Sequence, residues 1–116
     1  MASIKSGDKL YLVTRSDLSP GYQAVQSCHA LRQFVADHPE VDKEWHSRSN
    51  YLALLSVKDE VELMRLIVKA TDAGIRWSAF REPDVDGQIT AIAIEPCAHT
   101  IELCKSLSLA LSSTNE

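Results

Sequence analysis

The stretch Leu10–Ala30, LYLVTRSDLSPGYQAVQSCHA, decides the fold of this chain. Leu10 to Val13 is apolar without polar alternation, the pattern of a strand covered on both faces. Arg15-Ser16-Asp17-Leu18 then leads into Ser19-Pro20. Serine suits a helix cap and proline the first helical position, so a helix is predicted from Pro20 to Asp37. A covered strand feeding a long helix is the opening unit of a layered α/β domain. Within the helix, Ala24, Cys28, Leu31 and Val35 recur at helical spacing and predict the core stripe. Tyr22, Gln26, His29 and Gln33 form a second, polar stripe directed elsewhere.

Downstream, His38 to Asn50 is polar apart from Trp45 and reads as a connection with at most a short helical turn. Tyr51 to Val57 is a near-continuous apolar run and predicts a second strand. Asp59 followed by Glu62 resembles a capping arrangement for a second helix. Val61, Met64, Ile67 and Val68 are its expected buried side, and Gly74 its stop. Ile75 to Arg81 predicts a third strand, closed by Pro83 and the Asp86-Gly87 turn. Ile89 to Ile94 predicts a fourth. A last helix is expected over Ala98 to Leu111, with Ile101, Cys104 and Leu107 inward. The order β-α-β-α-β-β-α implies an α/β fold, a three-layer α/β/α sandwich around a four-stranded mixed sheet. One domain is expected over residues 9–111, between flexible polar tails at 1–8 and 112–116.

Composition fits this picture and excludes several classes. The chain has 116 residues, of which 45% are apolar and 24% charged, ordinary globular usage. Twelve Lys and Arg against sixteen Asp and Glu give a net charge of −4, so bulk-charge binding to nucleic acid is not expected. Cys28, Cys97 and Cys104 are odd in number and lack a CxxC pair, which points to reduced thiols. Cys28 and Cys104 are expected to be core residues. The opening MASIKSGDK has no apolar centre, so a secretory leader is not expected; nor is a membrane span. The cytoplasm is the expected compartment.

Ligands of open α/β sheets gather beyond the C-terminal strand ends, which here means Arg15 to Tyr22. A helix N-terminus there suits an anion, but no GxGxxG or GxxxxGK[ST] is present, so a nucleotide loop is not supported. No zinc spacing occurs and no metal or cofactor is expected. Gln26 reads as a donor to a reacting carbonyl or as a bridge holding a neighbour. His29 reads as a proton shuttle or a structural hydrogen-bonding group, and Tyr22 as a donor or an exposed aromatic. Glu82, Asp84 and Asp86 read as water-orienting groups or solvated turn residues. Trp45 and Trp77 read as core or as base-stacking platforms. Arg15, Arg48, Arg76 and Arg81 are the candidate phosphate patch.

Gly21-Tyr22-Gln23-Ala24-Val25-Gln26-Ser27-Cys28-His29-Ala30 resembles the G-K-x-A-A-Q-C-S-H-A helix of the archaeal/eukaryotic-type (type II) peptidyl-tRNA hydrolases. Arg15-Ser16-Asp17-Leu18 is similar to the R-x-D-L that precedes it there. Arg81-Glu82-Pro83-Asp84 and Pro96 are similar to features of a divergent branch, the peptidyl-tRNA hydrolase domain-containing proteins. The resemblance spans about residues 9–111. Tyr22 stands where the family has a lysine. Glu82-Pro83-Asp84-Val85-Asp86-Gly87 replaces its D-A-G-x-T, with Glu82 roughly at the aspartate, while Thr90 matches a later strand threonine.

The resemblance implies hydrolysis of the ester between peptide and tRNA. It makes Tyr22, Gln26, His29, Glu82 and Asp84 the catalytic candidates, and Arg15, Asp17, Gly21 and Thr90 the substrate-binding ones. It also implies peptidyl-tRNA as partner and a homodimer. Tyr22 is neutral near pH 7, as phenols titrate near ~10, so the lost ammonium implies weak or altered activity. The alternative is a non-catalytic RNA- or protein-binding module on the same fold. Either way, Gln26 and Glu82 are expected to share one pocket.

Overall fold

A computed structural model describes residues 4–112. β1 (Lys9–Arg15) leads into α1 (Pro20–Asp37), α2 (Pro39–Arg48) and β2 (Tyr51–Val57). α3 (Glu60–Asp72), β3 (Trp77–Glu82), β4 (Gln88–Ile94), α4 (Ala98–Cys104) and β5 (Ser108–Leu109) follow. The sheet order is β3-β4-β1-β2-β5. β1 and β2 are parallel, with Lys9 opposite Tyr51 and Arg15 opposite Val57. β4 runs antiparallel to both β1 and β3. The C-terminal ends of β1, β2 and β3 therefore share one sheet edge, where β4 begins.

The central strands alternate between two cores. Val13, Ile89, Ile92 and Ile94 face Leu63, Leu66 and Ala70 of α3 and Cys104 of α4. Leu10, Leu12, Ala91 and Ala93 face Ala30 and Phe34 of α1 and Trp45 of α2. Both faces of β1 and β4 are thus covered, which is why their apolar runs show no alternation.

The sheet has five strands, not four. The last helix stops at Cys104 rather than Leu111, because Ser106, Ser108 and Ser112 are poor helix formers. The chain instead closes against β2, pairing Leu109 with Leu55, and Ala110 N–H donates to Leu54 O. The stretch expected as a connection contains a ten-residue helix, α2. Pro39 opens it, Glu40 and Asp42 complement its N-terminal dipole, and Trp45 anchors it in the core.

The helices are rotated from the expected faces. α1 buries Gln23, Gln26, Ser27, Ala30 and Phe34, and Cys28 is exposed. α3 buries Leu63, Leu66 and Ala70, while Val61, Met64 and Val68 face outward. Ile101 is likewise exposed. In α1 the buried polar side chains are accommodated by hydrogen bonds. Gln23 Nε2 donates to Leu18 O at 2.7 Å, and Ser27 Oγ donates to Gln23 O at 2.7 Å. In α3 the charged side chains Glu62, Arg65 and Lys69 lie opposite Ile67, and the residues flanking Ile67, namely Leu63, Leu66 and Ala70, are the ones that turn inward. Of the expected tails, residues 1–3 and 113–116 lie outside the described residues. Ile4 is buried with the α1-side core, and Lys5 N–H donates to Asp8 Oδ2 at 2.8 Å.

Candidate functional site

Glu82 closes β3 at the shared sheet edge and points to the α1 side, as does Phe80 two residues earlier. Gln26, nearly two turns inside α1, meets it: Gln26 Nε2 donates to Glu82 Oε1 at 2.8 Å. The other end of the same amide accepts from Thr90 Oγ1 at 2.5 Å. Gln26 is 1% exposed, so its amide is sealed in with both ends engaged.

Thr90 reaches Gln26 because the β3–β4 ladder slips. Phe80 pairs with Ala91 but Arg81 pairs with Ile89, so Thr90 is the extra residue of a β-bulge. A bulge lets neighbouring side chains share a face, and here it sends both Thr90 and Ala91 toward α1. Thr14 Oγ1 completes the chain, donating to Thr90 O at 2.9 Å.

Glu82 also caps the short 3₁₀ turn Pro83–Val85, its Oε2 accepting from Asp84 N–H at 3.2 Å. The Tyr22 hydroxyl lies nearby. Gln26 first, then the Asp84 N–H, hold the Glu82 carboxyl below the usual carboxylate range; partial burial opposes them, and His29 and Tyr22 add to them. For Tyr22, desolvation first and then the charges of Glu82 and Asp84 push the phenol above its ordinary value. His29 lies flat on Phe80, with ring centroids 4.3 Å apart and planes 12° apart. Tyr22, Gln26, His29, Glu82 and Asp84 therefore gather at one place. Thr90 lies beneath it, fully buried, and Gly21 lies exposed at the start of α1.

Arg15 and Asp17 belong to the other face. Arg15 follows Val13 by two residues and so turns toward α3. Its Nε and Nη2 donate to Asp17 Oδ1 and Oδ2, both at 3.0 Å. Its Nη1 donates to Gln88 Oε1 at 2.8 Å and to Ile89 O at 3.1 Å. Glu60 Oε2 takes the Ile89 N–H at 2.9 Å. The Asp17 hydrogen bond, above all, raises the Arg15 pKa beyond its already high ordinary value. Gln88 and Glu60 were missed in the sequence; their polarity carries no signal until the ladder brings them beside Arg15.

The four candidate arginines make no single patch. Arg48 ends α2 and Arg76 precedes β3, at the opposite sheet edge from Arg15 and Arg81. Arg48 pairs with Glu44, Arg76 with Glu95, and Arg81 donates to Gly87 O. Trp45 and Trp77 are tied into the fold: their indole N–H groups donate to Tyr51 O and Thr71 Oγ1. No cluster of three or more His, Cys, Asp or Glu that could hold a metal ion occurs among the described residues.

Ligands of layered α/β domains gather beyond the carboxyl ends of the parallel strands, and the hydrogen-bonded Glu82 carboxylate lies at that edge. The sequence model of the family described as Peptidyl-tRNA hydrolase PTH2 matches residues 8–109. The chain belongs to that family, whose description implies peptidyl-tRNA hydrolysis and a role connected with translation. No curated protein shows significant sequence similarity to it. No helix among the described residues is long and apolar enough to cross a membrane.

Proposed function

We propose that the chain hydrolyses the ester joining a peptide to the tRNA 3′ end, slowly, with Glu82 at the centre of the site. The observation carrying this reading is the Gln26–Glu82 hydrogen bond, itself held by Thr90. An ionised carboxylate has about four acceptor positions. Gln26 and the Asp84 N–H occupy two of them, leaving room for a water. A carboxylate whose pKa is lowered by its donors is a weaker base than a free one, so Glu82 is assigned to orient the water rather than to deprotonate it. His29, beside it on Phe80, takes the proton as the water oxygen bonds to the ester carbonyl carbon.

The carbonyl electron pair then becomes an oxyanion, for which the Tyr22 hydroxyl is the nearby neutral donor. As the carbon–oxygen bond to the ribose breaks, the leaving oxygen takes the proton back from His29. Gln26 and Thr90 are buried and act as positioning residues. Asp84 supplies its backbone N–H and a negative charge. Arg15 and Asp17 shape the loop that delivers Gly21 and Tyr22. Tyr22 provides no ammonium for the oxyanion, which is the reason for slow turnover.

The second reading, a non-catalytic RNA- or protein-binding module, draws support from Tyr22 at the lysine position. Release of peptide from diacetyl-lysyl-tRNA by purified protein separates the two. Measurable release that rises greatly in Tyr22→Lys supports the hydrolase. No release at high enzyme concentration, with none gained by Tyr22→Lys, removes it. Homodimerisation and a cytoplasmic location accompany the hydrolase reading as proposals; sedimentation and cell fractionation test them.

A further inference from the structure

The sheet ends on two outer strands. At one margin β5 lies against β2. At the other margin lies β3, and Glu82 closes it.

Three hydrogen bonds fix which backbone groups of β3 point outward. Glu95 N–H donates to Arg76 O at 3.0 Å, and Gly87 N–H donates to Glu82 O at 2.9 Å. Backbone groups alternate along a strand, so Arg76, Ser78, Phe80 and Glu82 spend theirs on the β4 side. The extra residue of the bulge, Thr90, belongs to β4 and leaves this alternation intact. Trp77, Ala79 and Arg81 therefore turn their N–H and C=O groups away from the sheet. His38 agrees from outside, its Nε2 donating to Trp77 O at 3.2 Å. Among the described residues nothing pairs with the outward backbone groups of Ala79 or Arg81. The next outward position is Pro83, which has no N–H. A row of open groups thus runs from Ala79 to Arg81 and stops beside the Glu82 carboxylate.

We propose that this edge binds the peptide part of the substrate as an added strand, parallel to β3. The identity of the occupant rests on the hydrolase reading; the open edge does not. A peptidyl-tRNA carries its reacting carbonyl at the C-terminus of the peptide. β3 runs toward Glu82, so a parallel strand is the one that delivers this carbonyl to Glu82. Parallel pairing then sets the register. The last residue of the peptide gives its N–H to Arg81 O. Its carbonyl would next meet an N–H at Pro83, which supplies none, so the reacting carbonyl stays out of the ladder. The third residue from the end gives its N–H to Ala79 O and accepts from Arg81 N–H. The fifth accepts from Ala79 N–H. His38 already holds Trp77 O, so pairing ends there. Bonds of this kind read the length of a peptide and not its side chains.

The test is peptide release by the intact chain from diacetyl-lysyl-tRNA and from acetylated peptidyl-tRNAs of increasing length. kcat/KM is expected to rise about tenfold from one residue to about five and then level off. N-methylation of the third residue from the end is expected to cost about tenfold, because its N–H faces Ala79 O. N-methylation of the second, whose N–H faces away from β3, should cost nothing. Ala79→Pro removes one outward N–H, a change that an outer strand accommodates. It is expected to move the plateau to shorter peptides, and a melting curve verifies that it folds; the N-methyl pair decides without it. A rate independent of length, or equal losses at the two methylated positions, overturns the added strand while leaving the hydrolase reading in place. If no substrate is cleaved, the hydrolase reading fails. Nitrogen-15 NMR with an acetylated pentapeptide joined by an amide to 3′-amino-3′-deoxyadenosine then decides the edge by itself. Shifts of the Ala79 and Arg81 amides larger than those of Ser78 and Phe80 support it, and their absence overturns it.

Discussion

The two faces of one sheet edge hold two polar networks of opposite character. On the α3 side, Arg15 spends four donated hydrogen bonds on Asp17, Gln88 and Ile89, and Glu60 takes the Ile89 N–H. This charge is answered by the chain itself. On the α1 side, Glu82 has two donors and acceptor positions to spare, on a half-buried side chain. A buried charge satisfied internally holds structure together. A charge propped from behind and left short of donors is available for a ligand. Both networks sit where loops meet strand ends, so location alone does not separate them; the hydrogen-bond accounting does.

The largest expected effect is on the α1 side. Glu82→Gln keeps the shape but removes the charge, and is expected to lower kcat/KM for peptidyl-tRNA by about 100-fold or more. Its melting temperature should move little, since the carboxylate is partly solvated. Steady-state kinetics beside a thermal melt check both. Unchanged kinetics would leave the two networks alike, both structural.

Next comes Arg15→Met on the α3 side. It strips Asp17, Gln88 and the Ile89 carbonyl of their shared donor in a buried place. The expected loss is about 2–4 kcal/mol, somewhat reduced because Asp17 is partly exposed. Urea unfolding measures it. A loss under about 1 kcal/mol would mean that Arg15 does not hold this edge.

Thr90→Val should have a smaller and mixed effect. It leaves Gln26 Oε1 buried without its donor, at a cost of about 1–3 kcal/mol. It also frees the Gln26 amide to turn, so kcat/KM is expected to fall about tenfold by misplacement of Glu82. Thr90→Ser should restore both, because the hydroxyl is what matters. If Thr90→Ser behaves like Thr90→Val, packing and not the hydrogen bond is responsible.

These networks also mark how far the sequence could be read. The apolar runs at Leu10–Val13, Tyr51–Val57 and Ile89–Ile94 announce strands, and Ser19-Pro20 announces α1. These are local patterns with local causes. The α1 face was not legible, because apolarity is a poor guide where Gln26 is satisfied by Glu82 and Thr90, 56 and 64 residues away. The bulge at Thr90 depends on which β3 residue each β4 residue meets, which no single segment encodes. β5 is only two residues long and exists because the edge of β2 is there to receive it. The meeting of Gln26 with Glu82 was anticipated from family likeness. The separation of Arg15 from Glu82 onto opposite faces follows from strand alternation, and was within reach once β1 was recognised.

The smallest effect, and the finest test of the contrast, is on titration. Gln26 chiefly, with the Asp84 N–H, lowers the Glu82 pKa from an ordinary value of 4.5. A depressed folded-state pKa contributes stability that is fully present above the unfolded-state value. That contribution fades as pH falls through 4.5 toward the folded value. Arg15 moves the other way, raised above its already high ordinary value chiefly by its hydrogen bond to Asp17, so its charge does not change in the same window. Acid should therefore loosen the α1-side network while Arg15 keeps its charge. Carbon-13 NMR of the Glu82 carboxyl should show a midpoint below 4.5, moving upward in Gln26→Leu as the leading donor is lost. A midpoint that Gln26→Leu leaves in place would mean that the Asp84 N–H and Tyr22 hold the carboxylate. Gln26 would then be a packing residue that happens to touch it.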